Sequence, residues 1–503
     1  MSIIKIINVI IINIIMDIFF DRDVELNKLI ADIEKYRSLI VLYGNRRVGK
    51  TELIKKAINK IGGIYLYVDN TKSSNLLLQE FSSIIREYFN TSLFNPPDWD
   101  LFIKGLFELS LNVQTVVYFD EFQRFEGINM SLFTALQKNV DLLLDTSKLS
   151  IVCSGSSVGL IKKIFLDINL PLYKRATSIM NLKNFDFVTS FKFLNINIHD
   201  AIRMYSIFGG SPQFHKYFHM NGIKNVEQMI RSIFLDSSSV YVYEPRDFII
   251  EEFGRRTKTY FAILYAISKG NTKISNIAAV TDVKATSLQP YLYDLKDVLN
   301  LIVYELPVPE RNKKIDKGGI YKIIDNYMDF WFSKFYHNVN QFELGNYKGI
   351  VDLLIESVDS IVPHKFEEIC RELIIHMDIV KSGILPFNIQ KIGRWWGKNG
   401  SKTADKNQDE IDIIALNEDK KTIMFGECKW TNKPLDVSIY NNLRRKSEGV
   451  KWNNETRKEY FILFSKSGFT VDMTEVAGID NVLLFDLKKI EELLKNEPNK
   501  NQI

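Results

Sequence analysis

An eight-residue segment with the pattern G-x-x-x-x-G-K-T constrains this chain more strongly than any other part of its sequence. The segment consists of Gly44, Asn45, Arg46, Arg47, Val48, Gly49, Lys50 and Thr51. It follows the apolar run 39–43, which predicts a buried strand, and it precedes apolar positions at helical spacing in 53–61. A loop between a strand and a helix N-terminus presents backbone N–H groups and a partial positive charge to phosphates. The segment is therefore predicted to be a P-loop, in which Lys50 reaches the β- and γ-phosphates of ATP and Thr51 is a ligand of Mg²⁺.

A second strand-like run ends in two carboxylates. Residues 116–119 are apolar and are followed by Asp120 and Glu121. Such a strand in a parallel sheet delivers both side chains to the edge where the P-loop lies. Asp120 is therefore predicted to hold Mg²⁺, and Glu121 to orient or polarise the attacking water. A further run at 149–153 precedes Ser154 and Ser156, and this is where a sensor hydroxyl close to the γ-phosphate is expected.

Size and composition set only broad limits. A chain of 503 residues with 46% hydrophobic and 25% charged residues is globular material for about three domains. The net charge of +4 neither requires nor excludes nucleic acid, so any basic surface must be local. The three cysteines are scattered in apolar runs, which predicts core thiols in a reducing cytoplasm and not a disulfide framework or a zinc site.

The first 15 residues are rich in isoleucine but are interrupted by Lys5, Asn8 and Asn13. This stretch is too short and too interrupted to predict a membrane span, and no signal-peptide cleavage site follows it. It is either a short membrane or partner anchor, or an artefact of a gene whose true start is Met16. We favour the second interpretation, because sequence typical of ordered structure begins at residue 17. No other segment predicts a membrane span.

Two further patterns lie in the middle of the chain. Residues 201–256 are helical in pattern and are interrupted at 209–212, as expected for a lid over the nucleotide. Residues 257–319 predict three helices and then a hairpin whose tip carries Arg311, Lys313 and Lys314, which is the outline of a winged helix. The candidate recognition helix carries little positive charge. DNA contact and a packing role within the protein therefore both remain open.

The C-terminal third carries a second chemical pattern. Asp412 lies on one predicted strand, and Glu427 and Lys429 lie on one face of the next, with fourteen residues between Asp412 and Glu427. This is the arrangement of a PD-(D/E)XK nuclease core, in which Asp412 and Glu427 ligate Mg²⁺ and Lys429 helps to activate water. Glu367 borders the apolar stripe of the preceding helix and is predicted to face the same site, whereas Glu368 points away from the stripe. The alternative is a hairpin with solvated charges on one face.

The predicted fold is α/β: a P-loop NTPase αβα sandwich with a helical lid, a winged helix and a C-terminal restriction-endonuclease-like α/β domain. The predicted parts are an Ile-rich N-terminal extension (1–16), a P-loop ATPase core (17–200), a helical lid (201–256), a winged helix (257–325), a linker helix (326–350) and a PD-(D/E)XK nuclease-like domain (351–503).

In the order of these motifs the chain from about Met16 resembles archaeal predicted ATPases of the AAA+/STAND type that carry a C-terminal PD-(D/E)XK-like domain. The resemblance rests on segments 20–26, 44–51, 117–123, 154–156, 171–175, 209–212 and 426–430, together with Asp412. It implies Mg²⁺-dependent binding and hydrolysis of ATP. It also implies that Gly210 and Pro212 belong to a lid motif near the adenine, and that Arg175 is a sensor or finger-like arginine.

The predicted function is that of a cytoplasmic ATPase switch coupled to a nuclease-like domain that acts on DNA, with ATP and Mg²⁺ as cofactors. DNA is the expected partner of the winged helix and of the C-terminal domain, no membrane is expected, and assembly into a homo-oligomer remains open. Two alternatives are an ATP-dependent DNA-binding regulator with a silent nuclease-like domain, and a signalling ATPase whose partner is another protein.

Overall fold

The structure is a computed structural model that describes residues 20–35, 37–235, 238–309, 318–398 and 408–495, except the side chains of Arg255 and Lys398. The predicted N-terminal extension and the basic wing tip with Arg311, Lys313 and Lys314 lie outside the described residues. The chain forms two compact units. The first contains the residues up to Asn184 with Ser211–Lys216 and Asp297–Asn300, and the second contains Phe185–Gly210, Tyr217–Lys296 and the residues from Leu301 onward.

The first unit is built on a parallel five-stranded sheet with the strand order β2-β3-β4-β1-β5. Its strands are β1 Ser38–Tyr43, β2 Ile64–Tyr67, β3 Thr115–Asp120, β4 Leu149–Gly155 and β5 Ser178–Asn181. All residues of β1, β3 and β4 are buried, as expected for central strands of a parallel sheet with both faces covered. The three strands predicted at 39–43, 116–119 and 149–153 are therefore confirmed as β1, β3 and β4.

Helices cover both faces of this sheet. Because strand side chains alternate, Leu39 and Val41 of β1 lie in one apolar cluster, whereas Ile40 and Leu42 lie in another. The helices that supply the two layers are Asp23–Glu34, Lys50–Ile61, Ser74–Phe89, Trp99–Leu109, Phe125–Ile128, Ser131–Leu143 and Val158–Leu166. This is the predicted αβα sandwich, and it places the carboxyl ends of β1, β3 and β4 along one edge.

The helical part of the second unit begins at Phe187. Its α-helices up to residue 293 are Phe187–Leu194, Ile198–Phe208, Val226–Phe234, Glu244–Phe253, Thr257–Ser268, Ile274–Thr281 and Ala285–Tyr293, while the helix Pro212–Met220 runs across the division between the units. Strands β6 Ile302–Glu305 and β7 Ile320–Ile323 then pair antiparallel. The predicted succession of three helices and a hairpin is present in this order.

The C-terminal part of the second unit contains a mixed five-stranded sheet with the order β12-β11-β10-β9-β8. Its strands are β8 Lys391–Lys398, β9 Gln408–Asn417, β10 Thr422–Lys429, β11 Lys458–Ser465 and β12 Leu483–Asp486. Strands β8, β9 and β10 pair antiparallel, whereas β10, β11 and β12 run parallel. The α-helices from residue 326 onward are Asn326–Phe330, Val339–Glu343, Tyr347–Ile379, Val437–Glu448, Val471–Asp480 and Leu487–Lys495.

One predicted boundary falls inside a helix. The division between linker helix and C-terminal domain was placed between residues 350 and 351, but both residues lie inside the 33-residue helix Tyr347–Ile379. The reason is that the buried stripe of this helix begins at Ile350 and continues through Leu354, Val358 and Val362 to Phe366. Packing of this stripe overrides the local helix-breaking tendency of Gly349 and Pro363.

Candidate functional site

The segment after β1 has the geometry of a phosphate-binding loop. Gly49 has φ of 92°, a left-handed conformation that glycine adopts without strain, and the helix Lys50–Ile61 starts directly after it. Gly44 is needed for a different reason, because a Cβ there would lie only 2.0 Å from the carbonyl oxygen of Leu182. The loop thus leads directly into the N-terminus of a helix, which is a favourable place for anions to bind.

Lys50 is buried within this loop. Its Nζ donates to the carbonyl oxygens of Gly44 at 2.8 Å and Asn45 at 2.9 Å. Burial lowers the pKa of Lys50 to about 8, although the nearby Glu121 and Asp120 act in the opposite direction. Two neutral carbonyl groups hold this ammonium group, so a phosphate oxygen can replace them as its acceptor without breaking an ion pair.

Asp120 at the end of β3 is held by neutral donors. Thr51 Oγ1 donates to Asp120 Oδ2 at 3.0 Å, and the hydroxyl of Tyr65 donates to the same oxygen at 2.7 Å. The backbone N–H of Glu121 donates to Oδ1 at 3.1 Å. The structure thus brings the two predicted Mg²⁺ ligands, Thr51 and Asp120, together at the mouth of the loop. An oxygen pair of this kind fits the preference of Mg²⁺ for hydroxyl and carboxylate ligands.

Glu121 follows with φ of 58°, so its side chain leaves the strand direction. Its Oε2 accepts hydrogen bonds from Gln123 Nε2 at 2.5 Å and from Ser156 Oγ at 2.7 Å. Ser156 is thereby linked to the predicted water-positioning carboxylate, whereas the buried hydroxyl of Ser154 has no hydrogen-bond partner among the described residues. Two donors on one oxygen fix the direction of the Glu121 carboxylate.

Sequence reasoning missed Tyr65 and Gln123. Tyr65 lies on β2, which carries no motif, and its role depends on the pairing of β2 with β3. The spacing of Gln123 two residues after Glu121 was the only local signal for its contact.

The residues implied by the family resemblance have definite surroundings. Arg175 forms an ion pair with Asp141, with 3.0 Å between Nη2 and Oδ2, and its Nη1 donates to the carbonyl of Tyr173. A role for Arg175 at the nucleotide stays a prediction. Gly210 is required by close packing, because a Cβ there would lie 1.7 Å from the carbonyl oxygen of Phe185.

Pro212 opens the helix Pro212–Met220, and its fixed φ suits the first helical position. Two residues later, the ring of Phe214 has the guanidinium group of Arg47 at 5.6 Å from its centroid. This contact joins the segment after Pro212 to the P-loop within the first unit. The predicted proximity of the two segments has this support, but contact with adenine stays a prediction.

A second acidic site lies in the C-terminal sheet. Asp412 on β9 and Glu427 on β10 occupy neighbouring antiparallel strands, and Asp412 Oδ2 accepts the backbone N–H of Cys428 at 2.9 Å. The Nζ of Lys429 lies 2.6 Å from Glu427 Oε1 and 3.7 Å from Asp412 Oδ2. The structure therefore brings these three predicted residues together.

Glu427 has a second cationic partner that sequence reasoning did not single out. Lys446, on the helix Val437–Glu448, donates from Nζ to both carboxylate oxygens of Glu427, at 3.1 and 3.0 Å. The sequence offered only a run of basic residues, Arg444, Arg445 and Lys446, as a signal for this contact. The actual contact depends on how the helix packs on β10.

Glu367 acts on this site through its charge, which raises the pKa of Asp412. Its nearest cationic atoms are His364 Nδ1 at 3.7 Å and Arg394 Nε at 3.8 Å. Burial acts to raise the pKa of Glu367, but the bond to His364 and the charges of Arg394 and Arg371 outweigh burial and lower the pKa. Burial raises the pKa of Asp412 to about 7, with further contributions from the negative charges of Glu427 and Glu367.

The three acids do not form a three-ligand metal cage. In the described parts of the chain, no group of three or more histidine, cysteine, aspartate or glutamate side chains is arranged to hold a metal ion. Any metal at this site would have Asp412 and Glu427 as its ligands, with Glu367 acting through its charge. Glu368, which the helical pattern directed elsewhere, is ion-paired with Lys322 and lies 3.8 Å from Lys365.

Two segments of the chain match the models of known families. Residues 19–216 match the model of a family described as an ATPase domain predominantly from Archaea. Residues 331–446 match a family described as "Archaea bacterial proteins of unknown function". The first match and the P-loop geometry agree, so residues 19–216 form an archaeal ATPase-family domain.

Individual proteins are similar over longer stretches. An uncharacterised protein of Methanocaldococcus jannaschii is 28% identical over 477 residues, which cover 93% of this chain and 99% of that protein. A Walker-type ATPase of Pyrococcus abyssi is 23% identical with a TM-score of 0.49, covering 63% of this chain and 97% of that one. The ORC2 protein of Aeropyrum pernix, solved in ADPNP–ADP complexes, is 14% identical with a TM-score of 0.43, covering 67% and 94%.

Among the helices that the structure describes, none has the length and apolar character needed to cross a bilayer.

Proposed function

We propose that this chain is a Mg²⁺-dependent ATPase whose nucleotide cycle controls metal-dependent cleavage of DNA by its C-terminal domain. The proposal of DNA cleavage is supported by the position of Lys429, whose Nζ lies close to both Glu427 and Asp412 on neighbouring strands. A lysine beside two carboxylates on neighbouring inner strands of a mixed sheet is a residue set suited to metal-dependent hydrolysis of a phosphodiester. The family match of residues 19–216 supports the ATPase half.

At the nucleotide site each contact has a defined role. Lys50 exchanges the carbonyls of Gly44 and Asn45 for phosphate oxygens of ATP, which gives charge-assisted hydrogen bonds. Thr51 and Asp120 would hold Mg²⁺, which would offset the negative charge of the phosphates. Glu121 accepts a hydrogen bond from the attacking water, while Ser156 and Gln123 keep its carboxylate in one orientation.

In the C-terminal domain, Asp412 and Glu427 would hold the metal, which lowers the pKa of bound water and stabilises charge on the scissile phosphate. Lys429 is close enough to both carboxylates to orient this water and to approach the same phosphate. Both carboxylates must be ionised for this role. Burial raises the pKa of Asp412 to about 7, so below neutral pH a proton competes with the metal for this carboxylate.

The predicted DNA partner is supported by the exposed basic side chains of the helix Val437–Glu448. Arg444 and Arg445 lie on Val437–Glu448 with about half of their side chains exposed, beside the residue that contacts Glu427. Exposed arginines at this position suit a phosphate backbone. The three helices and the β6–β7 hairpin, which we propose to be a winged helix, would add a second contact surface.

A second candidate function has its own observation. Lys429 and Lys446 both pair with Glu427, which leaves this carboxylate without net negative charge. If no metal enters this site, the chain would be an ATP-dependent DNA-binding regulator with a silent C-terminal domain.

A cleavage assay separates the two functions. Purified full-length protein is incubated with supercoiled plasmid, ATP and Mg²⁺ or Mn²⁺, in parallel with Lys429→Ala and Lys433→Ala. Lys433 is exposed and lies four residues further along the chain, so it controls for the loss of one positive charge. Cleavage by wild type and Lys433→Ala but not by Lys429→Ala supports the nuclease. Equal cleavage by all three proteins, or none by any, rules against it.

A further inference from the structure

Lys446 makes an unusual contact for a residue beside a proposed metal site. Its Nζ is at 3.1 and 3.0 Å from the two oxygens of Glu427, while Lys429 lies 2.6 Å from one of the same oxygens. The side chain of Glu427 is 6% exposed and that of Lys446 is 13% exposed. Solvent therefore screens this pair only weakly.

These contacts affect the approach of a second cation. Glu427 already has the ammonium groups of Lys429 and Lys446 as partners, and Lys429 also lies 3.7 Å from Asp412. A divalent ion that enters must displace an ammonium group from Glu427 or bind beside it, and like charges at such distances repel strongly where water is excluded. The nucleotide site differs, since its Asp120 is bound by hydroxyl and backbone N–H groups.

The helix that carries Lys446 offers the ammonium group another acceptor. Arg445, the preceding residue, is 54% exposed and pairs with Asp409, and Arg444 is 58% exposed. A phosphodiester bound along these side chains would lie next to Lys446. Transfer of the ammonium group from Glu427 to that phosphate would free the carboxylate for metal, without any covalent step.

We propose that Lys446 is an internal counter-ion that competes with divalent metal for Glu427 and keeps the C-terminal site poor in metal until an anionic phosphodiester takes the lysine. This inference rests on the proposed metal site and adds its regulation. It makes metal loading depend on substrate. Such a device would restrain cleavage in the absence of correctly bound DNA.

The test is metal binding, which needs no cleavage activity. Binding of Mn²⁺ to the full chain is measured by calorimetry in an Asp120→Asn background, so that the nucleotide site contributes little. Lys446→Gln removes the ammonium group from Glu427, whereas Arg445→Gln removes the same charge one residue away, where the partner is Asp409. Removal of one competing ion pair should tighten Mn²⁺ binding about tenfold in Lys446→Gln, and less than about twofold in Arg445→Gln.

Two further variants complete the design. Lys446→Arg keeps the charge and should bind Mn²⁺ as weakly as the parent protein. Lys446→Met, which keeps the aliphatic stem, replaces the glutamine variant if that protein does not fold by circular dichroism. Asp412→Asn should abolish the tightened binding, which locates it at this site.

The outcomes separate the two proposals. Measurable Mn²⁺ binding by the parent with no gain in Lys446→Gln overturns the counter-ion role and leaves the metal site standing. An equal gain in Arg445→Gln also overturns it, because overall charge would then be the cause. Absence of binding in the parent and in all variants overturns both the inference and the proposed metal site.

Discussion

The two acidic sites of this molecule hold their carboxylates by opposite means. At the nucleotide site, Asp120 accepts hydrogen bonds from Thr51, Tyr65 and a backbone N–H, all of which are neutral donors. At the C-terminal site, Glu427 is bound by two ammonium groups. The first arrangement keeps a negative charge available for a cation, whereas the second neutralises it in advance.

The lysines of the two sites also differ, because their surroundings shift their pKa values in opposite directions. Burial lowers the pKa of Lys50 to about 8, and the nearby Glu121 and Asp120 offset this shift only in part. Burial also acts to lower the pKa of Lys429, but Glu427 and Asp412 outweigh it and raise the pKa. The nucleotide site is thus prepared for an incoming polyanion with its metal, and the C-terminal site must first exchange its own ion pairs.

The largest expected effect is at Lys50. Lys50→Ala removes the charge-assisted contacts to phosphate, worth about 3 kcal/mol, so ATP affinity should fall about a hundredfold. Lys55→Ala is the matched control, because Lys55 lies on the same helix but pairs with Glu52 in solvent. Fluorescent-nucleotide titration measures both variants, and thermal unfolding verifies that they fold. Near-normal ATP affinity in Lys50→Ala would contradict the nucleotide-site account.

The next effect concerns protons at Asp412. Its pKa of about 7 means that a proton competes with metal below neutrality, so Mn²⁺ affinity of the Asp120→Asn protein should rise about fivefold between pH 6 and 7 and about tenfold between pH 6 and 8. Calorimetry at these three values, with Asp412→Asn as the control, measures the dependence. A pH-independent affinity would show that Asp412 is not a ligand.

A smaller effect is expected at Tyr65. Tyr65→Phe removes one donor from Asp120 without changing the size of the ring, so the Mg²⁺ concentration for half-maximal ATPase rate should rise about three- to fivefold. Tyr67→Phe is the control, because Tyr67 lies on the same strand as Tyr65 but its hydroxyl accepts a hydrogen bond from Arg124. ATP binding without Mg²⁺ should be equal in both variants. Equal Mg²⁺ requirements in the two variants would mean that Tyr65 does not position Asp120.

The smallest effect concerns Glu372, a partly buried acid, which like Asp120 is held by neutral donors. It accepts from the backbone N–H of Phe187 and the hydroxyl of Tyr205, and burial raises its pKa to about 7. A pKa above the unfolded value of about 4.5 means that the folded state retains a proton, so stability should fall as pH rises from 4.5 to 7. Glu372→Gln should remove roughly 1–2 kcal/mol of this dependence in urea unfolding. An unchanged slope would show that Glu372 is ionised in the folded protein.

The sequence was most informative where the chemistry is local. The P-loop, Asp120 and Glu121 each follow a strand in the chain, so alternation and motif spacing were enough to place them on one sheet edge. The partners Tyr65 and Lys446 come from other elements, and only the pairing of β2 with β3 and the packing of Val437–Glu448 on β10 bring them in. The helical pattern set Glu367 beside the apolar stripe, but its distance from Asp412 and Glu427 depends on tertiary packing.

The central claim is that the nucleotide cycle controls cleavage, and the rate of plasmid cleavage under three nucleotide conditions tests it most directly. Wild type and Lys50→Ala are assayed in Mg²⁺ without nucleotide, with ATP and with a non-hydrolysable ATP analogue. The account predicts that the wild-type rate changes at least about tenfold among the three conditions and that Lys50→Ala gives one constant rate. Cleavage by wild type that is the same in all three conditions, or absent from all of them, would contradict it.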